Sequence, residues 1–105
     1  EDVMGNGVTI KNGYARRFDE NSGSDRGSVG QSGAVDAGSD GTYIVVVYKN
    51  GRARRYDANS GSDRGSVGVG DVVGCSISGG MIILRYGNGQ SRRYDARTGG
   101  DRGSV

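Results

Sequence analysis

Asp57, Asn59, Gly61 and Asp63 stand at alternate positions in the stretch DANSGSD. Alternating oxygen ligands are what a calcium loop presents to a hard cation. The stretch departs from the D-x-[DN]-x-[DN]-G pattern, no Glu closes the loop, and a later copy of the phrase puts Arg97 where the Asn stands. An Asx-type turn explains the same residues, because short polar side chains accept the N–H groups of their own turn. No metal ligand is therefore assigned. Catalysis has still less to draw on. The chain has no His, a single cysteine (Cys75) and only two glutamates, Glu1 and Glu20. No nucleophile, base and orienter can be assembled from these, so the sequence is read as non-enzymatic, with no catalytic residue and no cofactor. Cys75, set in VVGCSIS, reads as a small buried side chain, and a lone cysteine excludes an intramolecular disulfide.

The chemistry that does recur is Arg with Asp. Of the 14 basic residues 12 are Arg, and Asp supplies ten of the 12 acids, leaving a net charge of only +2. Arg forms planar, bidentate pairs with carboxylates. A near-neutral chain of this kind, without a long basic run, points to internal ion pairs and away from nucleic acid. No stretch is apolar enough to span a membrane. The Ser/Gly/Asn-rich, Lys-poor composition leans towards a secreted or surface location.

These residues belong to a phrase that is spelled three times: RRFDENSGSDRGSVG from Arg16, RRYDANSGSDRGSVG from Arg54 and RRYDARTGGDRGSV from Arg92. The Asn-Gly pairs at Asn12, Asn50 and Asn88 recur every 38 residues, and a fixed period in this range signals repeat architecture. The repeats run over 1–30, 31–68 and 69–105, the first shortened, within one domain. In it Gly5, Asn6 and Gly7 fall where the second repeat has Tyr43, Ile44 and Val45, and EDVMG resembles the later GDVVG at Gly70. Each Asn-Gly pair predicts a β-hairpin with a type I′ turn, which needs positive φ at both central residues. Further short strands are expected within Gly33–Gly41, within Asp71–Gly80 and at DRGSV. The unit is a four-stranded antiparallel meander with no helix. Its second strand, IVVVY from Ile44, is apolar on both faces, so it must be covered on both. Only 19 of 105 residues are Leu, Ile, Val or Phe, so the core is thin and self-association is expected.

The run from Asp40 to Gly61 resembles a WD40-type or quinoprotein-type β-propeller blade. In those families the second strand ends in Asp-Gly or Asn-Gly, the third closes on Trp-Asp or Tyr-Asp, and a Thr-Gly or Ser-Gly turn follows. The counterparts here are Asn50-Gly51, Tyr56-Asp57 and Ser60-Gly61, repeated at Asn88-Gly89, Tyr94-Asp95 and Thr98-Gly99 and at Asn12-Gly13, Phe18-Asp19 and Ser22-Gly23. The Gly-His pair of WD40 repeats and every Trp are missing. The resemblance implies an all-β fold of three blades, with a β-trefoil-like domain as the alternative. Blades of these families carry aliphatic residues where Arg17, Arg55 and Arg93 stand. A buried Arg needs a partner, so these residues are expected to pair with Asp19, Asp57 and Asp95 and with Asp25, Asp63 and Asp101, joining blade to blade. On that basis Arg55→Leu should be better tolerated than Asp57→Ala.

Three blades cannot close a ring, since propellers need four to eight. The expected partner is therefore the chain itself. A six-bladed homodimer leads, ahead of a trimer or an open fibre, with Val3, Met4 and Val8 meeting the third blade of a second copy around Ile83 and Val105. The function implied is that of a structural or binding propeller. The alternative is a lectin-like one that uses Tyr14, Tyr56 and Tyr94 as platforms for a glycan; a protein ligand is the other possibility.

Overall fold

The computed structural model describes residues 6–105. Among them eleven strands form three sheets. The first holds β1 (Asn6–Lys11), β2 (Tyr14–Asp19) and β3 (Asp25–Val29). The second holds β4 (Ala34–Ser39), β5 (Tyr43–Tyr48), β6 (Ala53–Asp57) and β7 (Asp63–Val67). The third holds β8 (Val72–Ser78), β9 (Met81–Tyr86), β10 (Ser91–Asp95) and β11 (Asp101–Ser104). Neighbouring strands are consecutive in the chain and antiparallel throughout, so each sheet is a meander, and there is no helix among the described residues. The sheets stand in an open row, first against second and second against third. This all-β arrangement is compatible with blade-like repeats. Among the described residues the first sheet has three strands where four were expected, and the EDVMG segment compared with GDVVG lies outside them.

The hairpins form where the Asn-Gly pairs predicted them, but two of the three turns are of a different kind. Asn12 and Gly13 have φ of 54° and 79°, the type I′ signature, and form a two-residue loop between paired Lys11 and Tyr14. Asn50 and Asn88 are not in the positive-φ region; only Gly51 (85°) and Gly89 (89°) are. There the loop has three residues, closed by Tyr48 N–H to Arg52 O at 2.8 Å and by Tyr86 N–H to Gln90 O at 2.8 Å. A type I turn followed by a left-handed Gly is the usual three-residue solution. The Asn contributes through its side chain: Asn50 Oδ1 accepts the N–H of Arg52 at 3.0 Å and Asn88 Oδ1 that of Gln90 at 2.9 Å.

This one-residue difference slips the register of β1. Gly7 lies opposite Phe18, as Ile44 lies opposite Tyr56, and Val8 opposite Arg17, as Val45 lies opposite Arg55. Asn6, Gly7 and Val8 therefore occupy the places of Tyr43, Ile44 and Val45, one residue along from the expected alignment. A slip of one residue exchanges the two faces of a strand. Val8 and Ile10 consequently turn towards the second sheet, and Thr9 and Lys11 are exposed. The expected placement of Val8 at an outer junction is thus corrected: it packs inside the row. Val3 and Met4 lie outside the described residues.

The apolar residues of β5 are split between two cores, as their alternation requires. Ile44 and Val46 face the first sheet, joining Ala15, Val29, Tyr56 and Ala58. Val45 and Val47 face the third, joining Ala53, Val67, Ile82, Leu84 and Tyr94. All four are fully buried. At about 25 cal/mol per Å² of apolar surface, these two seams are the main source of stability in a chain otherwise rich in Ser and Gly.

Candidate functional site at the sheet junctions

The repeated polar phrase is laid out along the third and fourth strands of each unit and the turn between them. Opposite the third strand the register breaks: Arg55 pairs with Gly65 and Tyr56 with Asp63, leaving Arg64 as the extra residue of a β-bulge. The same break falls between Arg17 and Phe18, leaving Arg26, and between Arg92 and Tyr94 in the third sheet. Gly27, Gly65 and Gly103 have φ near 100° (102°, 101° and 98°), which explains the Gly of each DRG.

The bulge separates two sets of interactions. Within each sheet the carboxylates are fully engaged. Asp63 takes Nε and Nη2 of Arg54, each at 3.0 Å, and the N–H of Gly65 at 2.6 Å. Asp57 Oδ1 takes the N–H groups of Asn59 (2.8 Å) and Ser60 (3.0 Å), and its Oδ2 takes Arg64 at 2.9 Å. The pattern recurs in the first sheet, as Arg16–Asp25 and Arg26–Asp19, and in the third, as Arg92–Asp101 and Arg102–Asp95. Hydrogen bonds from Arg64 and the turn N–H groups hold the Asp57 carboxyl below the ordinary carboxylate range, and Arg54 does the same for Asp63. The two carboxylates of the suspected calcium loop, Asp57 and Asp63, are thus engaged with Arg and backbone N–H groups, as an Asx turn demands, and no group of three or more metal-ligating His, Cys, Asp or Glu occurs among the described residues.

Between sheets the arginines act, but not on carboxylates. Arg55, only 7% exposed, crosses from the second sheet to the third and donates Nη1 to Ala96 O (3.0 Å) and Arg97 O (2.9 Å). Its Nη2 donates to Arg64 O, the carbonyl freed by the bulge. Arg17 does the same one sheet earlier, reaching Asn59 O at 2.7 Å, Ala58 O at 3.4 Å and Arg26 O at 2.8 Å. The expected blade-to-blade pairing of Arg17, Arg55 and Arg93 with Asp residues is therefore corrected: the acids pair within their own sheets, and the crossing arginines bind turn carbonyls. The physical reason is the alternation of the strand, which puts Arg54 on the face that reaches Asp63 and Arg55 on the opposite one. Burial lowers the Arg55 pKa from its usual value, and the Nε groups of Arg17 and Arg55 have no hydrogen-bond partner. Each guanidinium lies over a turn glycine: a Cβ on Gly61 would sit 3.2 Å from Arg17 Nε, and one on Gly99 3.0 Å from Arg55 Nε. Arg93 is exposed, and among the described residues its guanidinium reaches only Arg102 O, at 3.3 Å.

The tyrosine platform is corrected as well. Tyr56 and Tyr94 are 2% and 4% exposed and sit in the seams. Their hydroxyls meet those of Tyr48 (2.7 Å) and Tyr86 (2.6 Å), and burial raises both pKa values well above the usual range. Only Tyr14, 41% exposed, remains available to a ligand. Cys75 is buried, and burial, reinforced by Asp36, pushes its thiol up to about 12, so it is no nucleophile at neutral pH. The tyrosine pairs, and the carboxylates of Asp36 and Asp40 that cross to Cys75 N (3.0 Å) and Gly80 N (2.7 Å), were not anticipated from sequence. The one available signal was that Tyr48/Tyr56 and Tyr86/Tyr94 share a spacing that the first repeat lacks.

Two polar recesses of similar composition complete the surface. One of about 440 Å³ is lined by residues including Gln31, Lys49, Asn50, Arg52 and Arg54. Another of about 500 Å³ occupies the corresponding place in the third sheet, beside Gln90, Ser91, Arg92 and Ser104. No protein-family model matches the chain, and no curated protein matches it, so the geometry of these junctions and recesses carries the functional argument.

Proposed function

We propose that this chain is a non-enzymatic, self-assembling module whose three sheets are β-propeller blades and whose ring is completed by further copies, two chains supplying six blades. One observation carries the reading. The Arg-to-carbonyl junction occurs twice within the chain, at Arg17 and Arg55, while its third instance, Arg93, points outward with no sheet packed on it among the described residues. A repeated, directional junction with one unused half at the end of a row is the form of a heterologous interface, which closes into a ring or grows into a fibre. The bound-up carboxylates and the buried thiol favour structure over catalysis. The mass of the particle in solution, by light scattering over a range of concentrations, tests this. A multiple of 10.9 kDa is expected, and a monomer of that mass throughout would overturn it.

A second reading, binding of a carbohydrate at repeated sites, is favoured by the two recesses. They present amide, hydroxyl and guanidinium donors of the kind that recognise sugar hydroxyls, and repetition would give avidity to weak sites. A glycan array in which no sugar is retained would exclude it.

A further inference from the structure

We infer that copies of this chain join head to tail through Arg93 of one copy and the Glu20–Gly23 turn of the next. This rests on the self-assembling reading above and specifies the surface and its chemistry. The turn that receives Arg17 runs Ala58, Asn59, Ser60, Gly61, and the turn that receives Arg55 runs Ala96, Arg97, Thr98, Gly99. The equivalent turn of the first sheet is Glu20, Asn21, Ser22, Gly23, and it is built the same way. Asp19 Oδ1 accepts the N–H groups of Asn21 (2.8 Å) and Ser22 (3.1 Å), and Gly23 has a φ of 77° beside 76° and 79° at Gly61 and Gly99.

The difference is that, among the described residues, nothing lies over it. A Cβ on Gly23 would meet no atom within 4 Å, where the other two would press on an arginine. Beside it is a recess of about 160 Å³ lined by Thr9, Lys11, Phe18, Gly23 and Asp25 together with Arg16, which is held by Asp25, and Arg17, which is turned to the second sheet. Arg93 supplies the missing guanidinium at the other end of the row, on the face that also carries half-buried Ile83 and exposed Val105. The strand facing outward there includes Arg85, but its guanidinium turns aside to Asp36 at 3.6 Å and does not block the face.

Two features set this junction apart from the internal ones. First, Glu20 takes the place of Ala58 and Ala96, so an exposed carboxylate stands beside the carbonyls that Arg93 would reach. Second, the slipped register of β1 puts Thr9 and Lys11 where β5 offers Val46 and Tyr48. The junction between copies is therefore more polar than those within a chain. Its association depends on concentration and weakens with salt, as contacts between charged groups at a wet interface do.

The test is a charge exchange read by sedimentation over a concentration series, with Arg93→Glu and Glu20→Arg each made in the full chain. Both positions are exposed, so circular dichroism and melting should show native folds. Each variant alone should associate at least about tenfold more weakly than the native chain, the scale set by losing charge-assisted bonds and adding a like-charge contact. An equimolar mixture should associate again, because native Arg93 of one variant then meets native Glu20 of the other, and the opposite junction pairs Glu with Arg. Arg97→Glu, an equal change of charge on an exposed side chain, should leave association unaltered. Undiminished association of both single variants, loss in Arg97→Glu equal to theirs, or a mixture that stays dissociated would overturn the latch while leaving self-assembly through another surface. A native chain that is monomeric throughout would overturn both.

Discussion

Replacing Arg55 and Arg93 by Met compares one side chain at two equivalent positions that differ in whether another sheet follows. Arg55 is buried and makes three hydrogen bonds to carbonyls of Ala96, Arg97 and Arg64. Met fills the stem's volume but leaves those oxygens short of a donor. A carbonyl has two lone pairs and tolerates this better than an N–H, so about 1 kcal/mol for each is a fair scale. Part of the loss is offset because Met, unlike a guanidinium, costs little to bury. Arg55→Met should then lower stability by about 2–3 kcal/mol, a fall of roughly 10–20 °C in Tm for a domain of this size. Arg93→Met, exposed and holding one bond of 3.3 Å, should stay within about 0.5 kcal/mol of the native chain when measured dilute. Urea unfolding at low protein concentration, with midpoints compared at a common slope, measures both. Equal costs for the two variants, or an Arg55→Met midpoint indistinguishable from native, would refute the claim that the guanidinium joins the sheets.

Three further outcomes follow from the same contacts. Asp57→Ala removes acceptors from an exposed turn and the half-buried partner of exposed Arg64, so it should cost about 1 kcal/mol; being less than Arg55→Leu, this reverses the order that carboxylate pairing between sheets requires, and a urea titration of the pair decides between them. Hydrogen bonds from Arg26, Arg16, Arg64, Arg54, Arg102 and Arg92 depress the folded pKa values of Asp19, Asp25, Asp57, Asp63, Asp95 and Asp101 respectively. The stability they contribute is present above the unfolded value of about 3.9 and is lost as pH falls through the depressed folded values, so Tm should hold from neutrality to about pH 5 and drop below about pH 4; a Tm unchanged at about pH 2.5 would contradict this. Gly68 has a φ of 75°, and a Cβ there would lie 2.6 Å from Leu84 Cδ1 and from the Tyr86 hydroxyl, so Gly68→Ala should cost about 2–3 kcal/mol or more, against about 1 kcal/mol for Gly23→Ala, which meets only the backbone strain; similar melting losses for the two would show that packing at Gly68 is unimportant.

The strands and the double-faced burial of β5 were legible because period-two alternation and Asn-Gly punctuation are local signals. The fate of the arginines was not. Arg54 and Arg55 are adjacent and chemically identical, and only the bulge at Arg64, together with the neighbouring sheet, decides that one meets a carboxylate and the other a carbonyl. Carbonyl acceptors leave no mark in a sequence, since every residue has one. Turn type was misread for a related reason: Asn tolerates positive φ, as at Asn12, but also accepts a backbone N–H through its side chain, as at Asn50, and loop length arbitrates. Whether the tyrosines lie in the seams or on a surface was not legible, because the burial of a repeat's faces depends on which neighbour it has.

The first hairpin closes over two residues where the others close over three. The sequences KNGYARR and KNGRARR are equally long, so the difference is a slip of register with no residue lost from the turn. In most strands such a slip would be ruinous, because it would carry polar residues into the core. A strand like β5, apolar on both sides, can slip and stay packed, since either set of side chains will serve. Burial on two faces is thus a form of tolerance to error in register.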